Sequence, residues 1–273
     1  MQGLSKQQAL QNLRASIEMI EKRPPLEEAS PFNADSGSFL AAPSGVLHEI
    51  FADEPRDAAA PLGFALAQSR QLLSKERPAI IVLQLSTDAQ ELGVPYGLGL
   101  VSFGLDPDAI VLARMDDPTD LLWAMEEAIA CRAVAAVIAD IAAPIKALDF
   151  TASRRFSLRA AASGCSAFLI RYARDREASA ARFRWRLSPM LSQPPPFDGR
   201  APGHPRWQVT LEKGSFGGRR LNTAPEGEIF LVDWTERGFE RVTGDDRSRS
   251  ARRSTPISGP LPAALGDRLS EAS

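Results

Sequence analysis

The sequence predicts an α/β fold: a mainly parallel sheet covered by helices and extended by antiparallel edge strands. Two observations carry that expectation. Across residues 46–172, short apolar runs alternate with longer helical patterns, the rhythm of strand–helix–strand units with right-handed crossovers. From residue 182 onward the helical patterns stop and strict alternation begins, as in Arg182-Phe183-Arg184-Trp185-Arg186-Leu187.

The elements follow in order. Leu10, Leu13, Ile17 and Ile20 have helical spacing within residues 5–23, and Arg23-Pro24-Pro25 stops that helix. A polar stretch, 26–44, reads as a loop. Strands are expected at 46–51, 79–85, 110–114, 134–141 and 167–172. Several are wholly apolar, as in sheets buried on both faces. Helices are expected at 58–73, 120–132 and 152–163, the second with Thr119 or Asp120 as N-cap. Residues 182–187, 206–211 and 228–234 alternate and read as antiparallel strands on one edge of the sheet. Gln193-Pro194-Pro195-Pro196 opens an exposed loop that runs to His204. Beyond Gly244 the chain is rich in Ser, Arg, Pro and Gly and reads as disordered, with Leu261, Leu265 and Leu269 spaced for a short helix on binding. The expected organisation is an N-terminal helix and linker (1–34), an α/β domain (35–243) and a C-terminal tail (244–273).

Composition narrows the class. A hydrophobic fraction of 44% with 24% charged residues is that of a globular protein able to bury a core. There is no apolar run of bilayer length and the N-terminus is polar, so the expected location is the cytoplasm, with no membrane partner. Cys131 and Cys165 sit in apolar surroundings and read as small core residues. Charge is unevenly spread. Residues 1–150 carry 11 basic and 21 acidic side chains, whereas 151–186 carry nine arginines and two acids. That basic stretch is either a solvated face or a surface for nucleic acid or an acidic partner.

The stretch from Gly45 to Arg70 has the outline of a nucleotide-binding unit, with an apolar strand, a tight turn and a long alanine-rich helix. A working phosphate loop needs glycines to wrap backbone N–H groups around phosphates, a lysine for their charge and a hydroxyl for magnesium. Here Ala52 stands for the first glycine, Asp57 for the last, Ala58 for the lysine and Ala59 for the hydroxyl. Asp53, Glu54 and Asp57 place negative charge where a polyphosphate would sit, each repelling it by roughly 1 kcal/mol even in water. Asp140 ends an apolar strand in the manner of a magnesium-holding carboxylate, but it reads as vestigial without the lysine and hydroxyl. Gln84 or Ser86 stands where a catalytic glutamate is expected. No cofactor, metal or catalytic constellation is expected. His48 and His204 have no partner at metal spacing, there is no Gly-x-Ser-x-Gly elbow, and the Asp116-Asp117 and Glu126-Glu127 pairs read as caps and surface charge.

Three phrases resemble one family. They are SGVLHEIFADEP (44–55); ELGVPYGLGLVSFGLDPDAIVLAR (91–114) with LLWAMEEAIACRAVAAVIADI (121–141); and LDFTASRRFSLRAAASG (148–164). Together they look like ImuA proteins, over roughly residues 35–240. The resemblance implies a RecA-like core without nucleotide chemistry and a non-catalytic role in SOS-induced, error-prone translesion synthesis. The implied partners are an ImuB-like Y-family polymerase homologue, an error-prone replicative-type polymerase through that complex, and RecA. It also implies kinship to SulA-type division inhibitors, so inhibition of division through FtsZ is one alternative; the arginine-rich stretch makes DNA-binding regulation of RecA another. Candidate contact surfaces are the N-terminal helix (Leu10, Leu13, Ile17, Ile20), the helix bearing Trp123, Met125 and Glu126, the tail, and an arginine surface. That surface comprises Arg154, Arg155 and Arg159 at helical spacing with Arg182, Arg184 and Arg186 on one strand face.

Overall fold

The computed structural model describes residues 43–195, 197–214 and 229–242, with Gln8, Gln11, Ala15 and Leu40. The expected N-terminal contact residues Leu10, Leu13, Ile17 and Ile20, and the tail from 244, lie outside the described residues.

One nine-stranded sheet organises the chain, in the order β3-β2-β4-β5-β1-β6-β7-β8-β9. The strands are β1 Leu47–Ala52, β2 Ala79–Leu85, β3 Ile110–Met115, β4 Val134–Ile141, β5 Ser166–Tyr172, β6 Phe183–Met190, β7 Arg206–Lys213, β8 Ile229–Thr235 and β9 Gly238–Arg241. The helices are α1 Ala59–Arg70, α2 Ser86–Leu92, α3 Gly97–Ser102, α4 Pro118–Ala130 and α5 Phe150–Ser163. Pairing is parallel from β3 through β6 and antiparallel from β6 to β9. This is the RecA-like α/β core with antiparallel edge strands.

Burial explains the sequence pattern. All side chains of β1, β2 and β4 are buried, because helices cover the central strands on both faces. β3, at the sheet's edge, alternates instead. On one face, α1 packs on Ile50, Ile80, Val82, Ile138, Phe168 and Trp185. It is buried nearly all round, since α3 and its neighbours cover its outer side. Gly63 permits that cover, because a Cβ there would lie 3.1 Å from the Phe103 ring and 3.3 Å from Trp207. On the opposite face, α4 and α5 cover Leu47, Ile81, Leu83, Val137 and Leu169. The crossover from β1 to β2 and that from β3 to β4 run in opposite directions along the sheet. Right-handed connections therefore put their helices on opposite faces.

Three expectations need correction. The strand expected from residue 182 starts at Phe183 and pairs parallel to β1, not antiparallel; antiparallel pairing begins with β7. The reason is the 173–182 connection. It returns along the face of β1, where Arg182 N–H donates to the Leu47 carbonyl, so β6 starts at the same end as β1. Helix α4 starts two residues earlier than expected. Asp117, rather than Thr119 or Asp120, is the N-cap, accepting from Thr119 N at 2.6 Å and Asp120 N at 3.3 Å, with Pro118 in the first turn. Finally, α2, α3 and β9 were not expected. β9 follows a tight turn in which Gly238 adopts φ 103°.

Candidate functional site

Ligands of open α/β sheets bind at the carboxyl ends of the strands. Here that edge carries the β1–α1 turn, Asp140 at the end of β4, and a groove of about 200 Å³. Ala58, Ala59, Leu62 and Leu66 of α1 and its approach form one wall. Leu92, Val94, Tyr96 and Leu100 form the other, with Asp140 reaching it from the sheet.

The turn is closed on itself. Residues Pro55–Asp57 form a 3-10 turn in which Asp57 N–H donates to Glu54 O at 3.1 Å and Ala58 N–H to Pro55 O at 3.0 Å. Two backbone donors of the turn, Asp57 and Ala58 N–H, are therefore engaged within it. Two of its acidic side chains, Asp53 and Glu54, are engaged too. Asp53 takes a two-pronged contact from Arg186, Nε to Oδ1 at 3.2 Å and Nη2 to Oδ2 at 2.5 Å. That hydrogen-bonded guanidinium holds the Asp53 carboxyl below its ordinary range, and Asp53 in turn raises Arg186. Glu54 meets Arg56 at 2.9 Å and Arg174 at 3.4 Å. Ala58 is buried and Ala59 exposed, and neither offers a cation or hydroxyl.

Asp140 is equally engaged. Tyr172 OH donates to its Oδ1 at 2.7 Å and Gln84 Nε2 to its Oδ2 at 3.0 Å. Burial pushes the carboxyl's pKa up, against both hydrogen bonds, and pushes the Tyr172 hydroxyl up as well. Each of its oxygens therefore already carries a protein donor. The nearby Asp88 carboxylate accepts from Ala142 N at 2.9 Å. The residues present thus do not fit a magnesium–nucleotide. No group of three or more metal-ligating side chains occurs among the described residues.

The chain is 30% identical over 183 residues to the protein ImuA of Caulobacter vibrioides, in strains NA1000 and CB 15 alike. The matched region covers 63% of this chain and 70% of that relative. The chain belongs to the ImuA family. No family model matches it. No helix among the described residues of this ImuA-family chain is long and apolar enough to cross a membrane.

Of the expected arginine surface only Arg184 is drawn inward; the other five arginines are exposed, three of them paired with carboxylates. Arg155 and Arg159 both hold Glu126, at 2.8 and 3.3 Å, tying α5 to α4. Arg184 binds the buried Glu49 through Nε at 3.0 Å and Nη2 at 2.8 Å. Arg186 binds Asp53 as above. Arg154 and Arg182 are exposed, the latter's guanidinium 5.9 Å from the Phe183 ring centroid. Trp185 is fully buried. Met125, expected on a partner helix, is fully buried against the sheet and has no surface to offer, while Trp123 is half-buried.

Sequence reasoning missed Glu49. It is buried in the middle of β1 on the same sheet face as Leu47, and the 173–182 connection closes over it. Ser179 Oγ donates to it at 2.6 Å, and Arg171 lies 3.8 Å away. Beside it, Arg176 lies over the Phe51 ring at 4.1 Å and grips Glu212. The signal was in the sequence: His48 and Glu49 adjoin in a strand buried on both faces, and the arginine-rich stretch supplies the countercharge.

Proposed function

We propose that this chain is a non-catalytic accessory protein of SOS-induced, error-prone translesion DNA synthesis, acting through contacts with other proteins. Its partner in this reading is an ImuB-like Y-family polymerase homologue, which brings an error-prone replicative-type polymerase; RecA is a further partner. Membership of the ImuA family supports the mutagenesis role. The observation that carries the non-catalytic part is the β1–α1 turn. Its Asp57 and Ala58 N–H groups and its acids Asp53 and Glu54 are satisfied by the protein itself, and Ala58 and Ala59 stand where a lysine and a hydroxyl would hold a nucleotide. A protein that keeps the sheet but satisfies its own nucleotide edge has its surfaces left for recognition.

Arginine pairing weighs against direct DNA binding as the main role. Arg155, Arg159, Arg184 and Arg186 already face carboxylates. Co-expression with an ImuB-like protein, followed by affinity purification and size exclusion, tests the reading. Co-elution as a stable complex that survives 300 mM salt is the expected result. Separate elution at micromolar concentrations of both proteins would reject it.

A further inference from the structure

The groove has an outer rim that the described fold leaves open. Val94, Tyr96, Leu98 and Val101 are 47, 69, 69 and 55% exposed. Leu98 and Val101 lie at i and i+3 of α3, on one helix face. Such a cluster of large apolar side chains marks an interaction surface. Its setting is acidic: residues 86–109 contain Asp88, Glu91, Asp106 and Asp108 and no lysine or arginine. Arg70 reaches it from α1, engaged at the Gly104 carbonyl and lying 5.7 Å from the Trp234 ring.

The described chain ends at Val242, after β9, the outermost strand of the sheet. Val242 N–H donates to Leu231 O at 2.8 Å, on the edge where Trp234 and Phe239 contact each other with ring centroids 5.0 Å apart. Phe103, just after α3, stacks on Trp234 with ring centroids 6.1 Å apart. The sequence that follows is complementary. After Asp245 and Asp246 come Arg247, Arg249, Arg252 and Arg253, with no further acidic residue before Asp267, and Leu261, Leu265 and Leu269 follow at intervals of four.

We propose that the C-terminal segment docks on its own chain: Leu261, Leu265 and Leu269 cover Val94, Tyr96, Leu98 and Val101, and the arginines of 247–253 face Glu91, Asp106 and Asp108. Reach is not an obstacle. A random coil as long as the stretch from Thr243 to Leu261 would span about 25 Å root-mean-square. A short tether also gives an effective concentration in the millimolar range, so a contact too weak to hold a free peptide populates the docked state. The arginine–carboxylate component makes the contact weaken with salt.

Hydrogen exchange in the full chain tests this. Amides of 97–105 are expected to exchange at least tenfold more slowly in the native chain than in a Leu261→Asp/Leu265→Asp/Leu269→Asp variant. Unchanged exchange in β4 would show that the variant keeps its core. Raising salt from 50 to 500 mM is expected to shrink the difference. A synthetic peptide of residues 247–273, added to the variant, is expected to restore protection saturably, and Leu98→Asp in the variant is expected to abolish that rescue. Equal exchange in native chain and variant overturns the proposal. So does protection that rises with protein concentration, which would assign the surface to a second copy.

Discussion

Glu49→Ala is expected to destabilise the fold by roughly 3–5 kcal/mol, the range for breaking a buried ion pair from one side. Glu49 is 1% exposed, and its Oε2 accepts from Arg184 and Ser179 together. Truncation would leave the Arg184 guanidinium, its side chain 13% exposed, facing an empty position in the sheet. Arg171, 3.8 Å away, would lose a counterion as well. The damage would extend to topology, because Glu49 ties down the 173–182 connection that brings β6 back parallel to β1. Urea unfolding of the native chain, Glu49→Ala, Arg184→Leu and the Glu49→Leu/Arg184→Leu double variant checks this. The double variant is expected to recover much of the single-variant loss, since it removes both charges together. A Glu49→Ala loss below about 1 kcal/mol, the range of a surface pair, would show that the pair is solvated.

Acid is expected to weaken the fold through His48. Its ring is fully buried between Phe168 and Phe183, with centroids 4.7 and 5.0 Å away. Nδ1 accepts a hydrogen bond from Trp185 Nε1 at 3.2 Å, which requires that nitrogen to be unprotonated. Nε2 is buried without a hydrogen-bond partner among the described residues. Burial lowers the pKa from 6.5 to about 3. Between those values the unfolded chain binds a proton that the folded chain refuses. The stabilisation is therefore complete above pH 6.5 and is lost as pH falls toward 3, by up to about 1.4 kcal/mol per pH unit. At pH 4.5 the loss is of order 2–3 kcal/mol. Asp140 acts in the opposite sense. Its raised pKa stabilises the fold at low pH, and that contribution fades as pH rises through the folded value. His48→Gln, which keeps an acceptor for Trp185, separates the two, because Asp140 is common to both chains. The native chain should lose stability more steeply than His48→Gln between pH 6.5 and 4.5. Parallel curves would mean that His48 protonates without unfolding.

The central strands were legible because burial on both faces writes itself as uninterrupted apolar sequence, as in Ile80 to Leu83 and Val134 to Ile138. Strand direction was not. The alternation from Arg182 to Leu187 fixes which side chains point inward, but direction depends on the contacts of the 173–182 connection with Leu47 and Glu49. The helices α2 and α3 were hidden because Gly93, Pro95, Gly97 and Gly99 read as turn residues.

The loop's failure to offer a lysine, a hydroxyl or glycines was plain in Ala52, Asp57, Ala58 and Ala59. What neutralises its acids was not, since Asp53 and Arg186 are 133 residues apart. The same long-range pairing accounts for much of the uneven charge. Acids of β1 and its turn, Glu49, Asp53 and Glu54, meet Arg184, Arg171, Arg186 and Arg174 from the basic stretch. A local count of arginines could not tell that internal match from an external surface.

Equilibrium binding of labelled ATP with magnesium to the full chain tests the central claim most directly: that this RecA-like edge is satisfied by its own side chains and has no place for a nucleotide. No saturable binding up to millimolar ATP is the predicted result, with Arg186→Ala behaving the same way, because Asp53 and Glu54 still face the site. Saturable binding in the micromolar range, weakened when Asp140 is replaced by Asn, would contradict it.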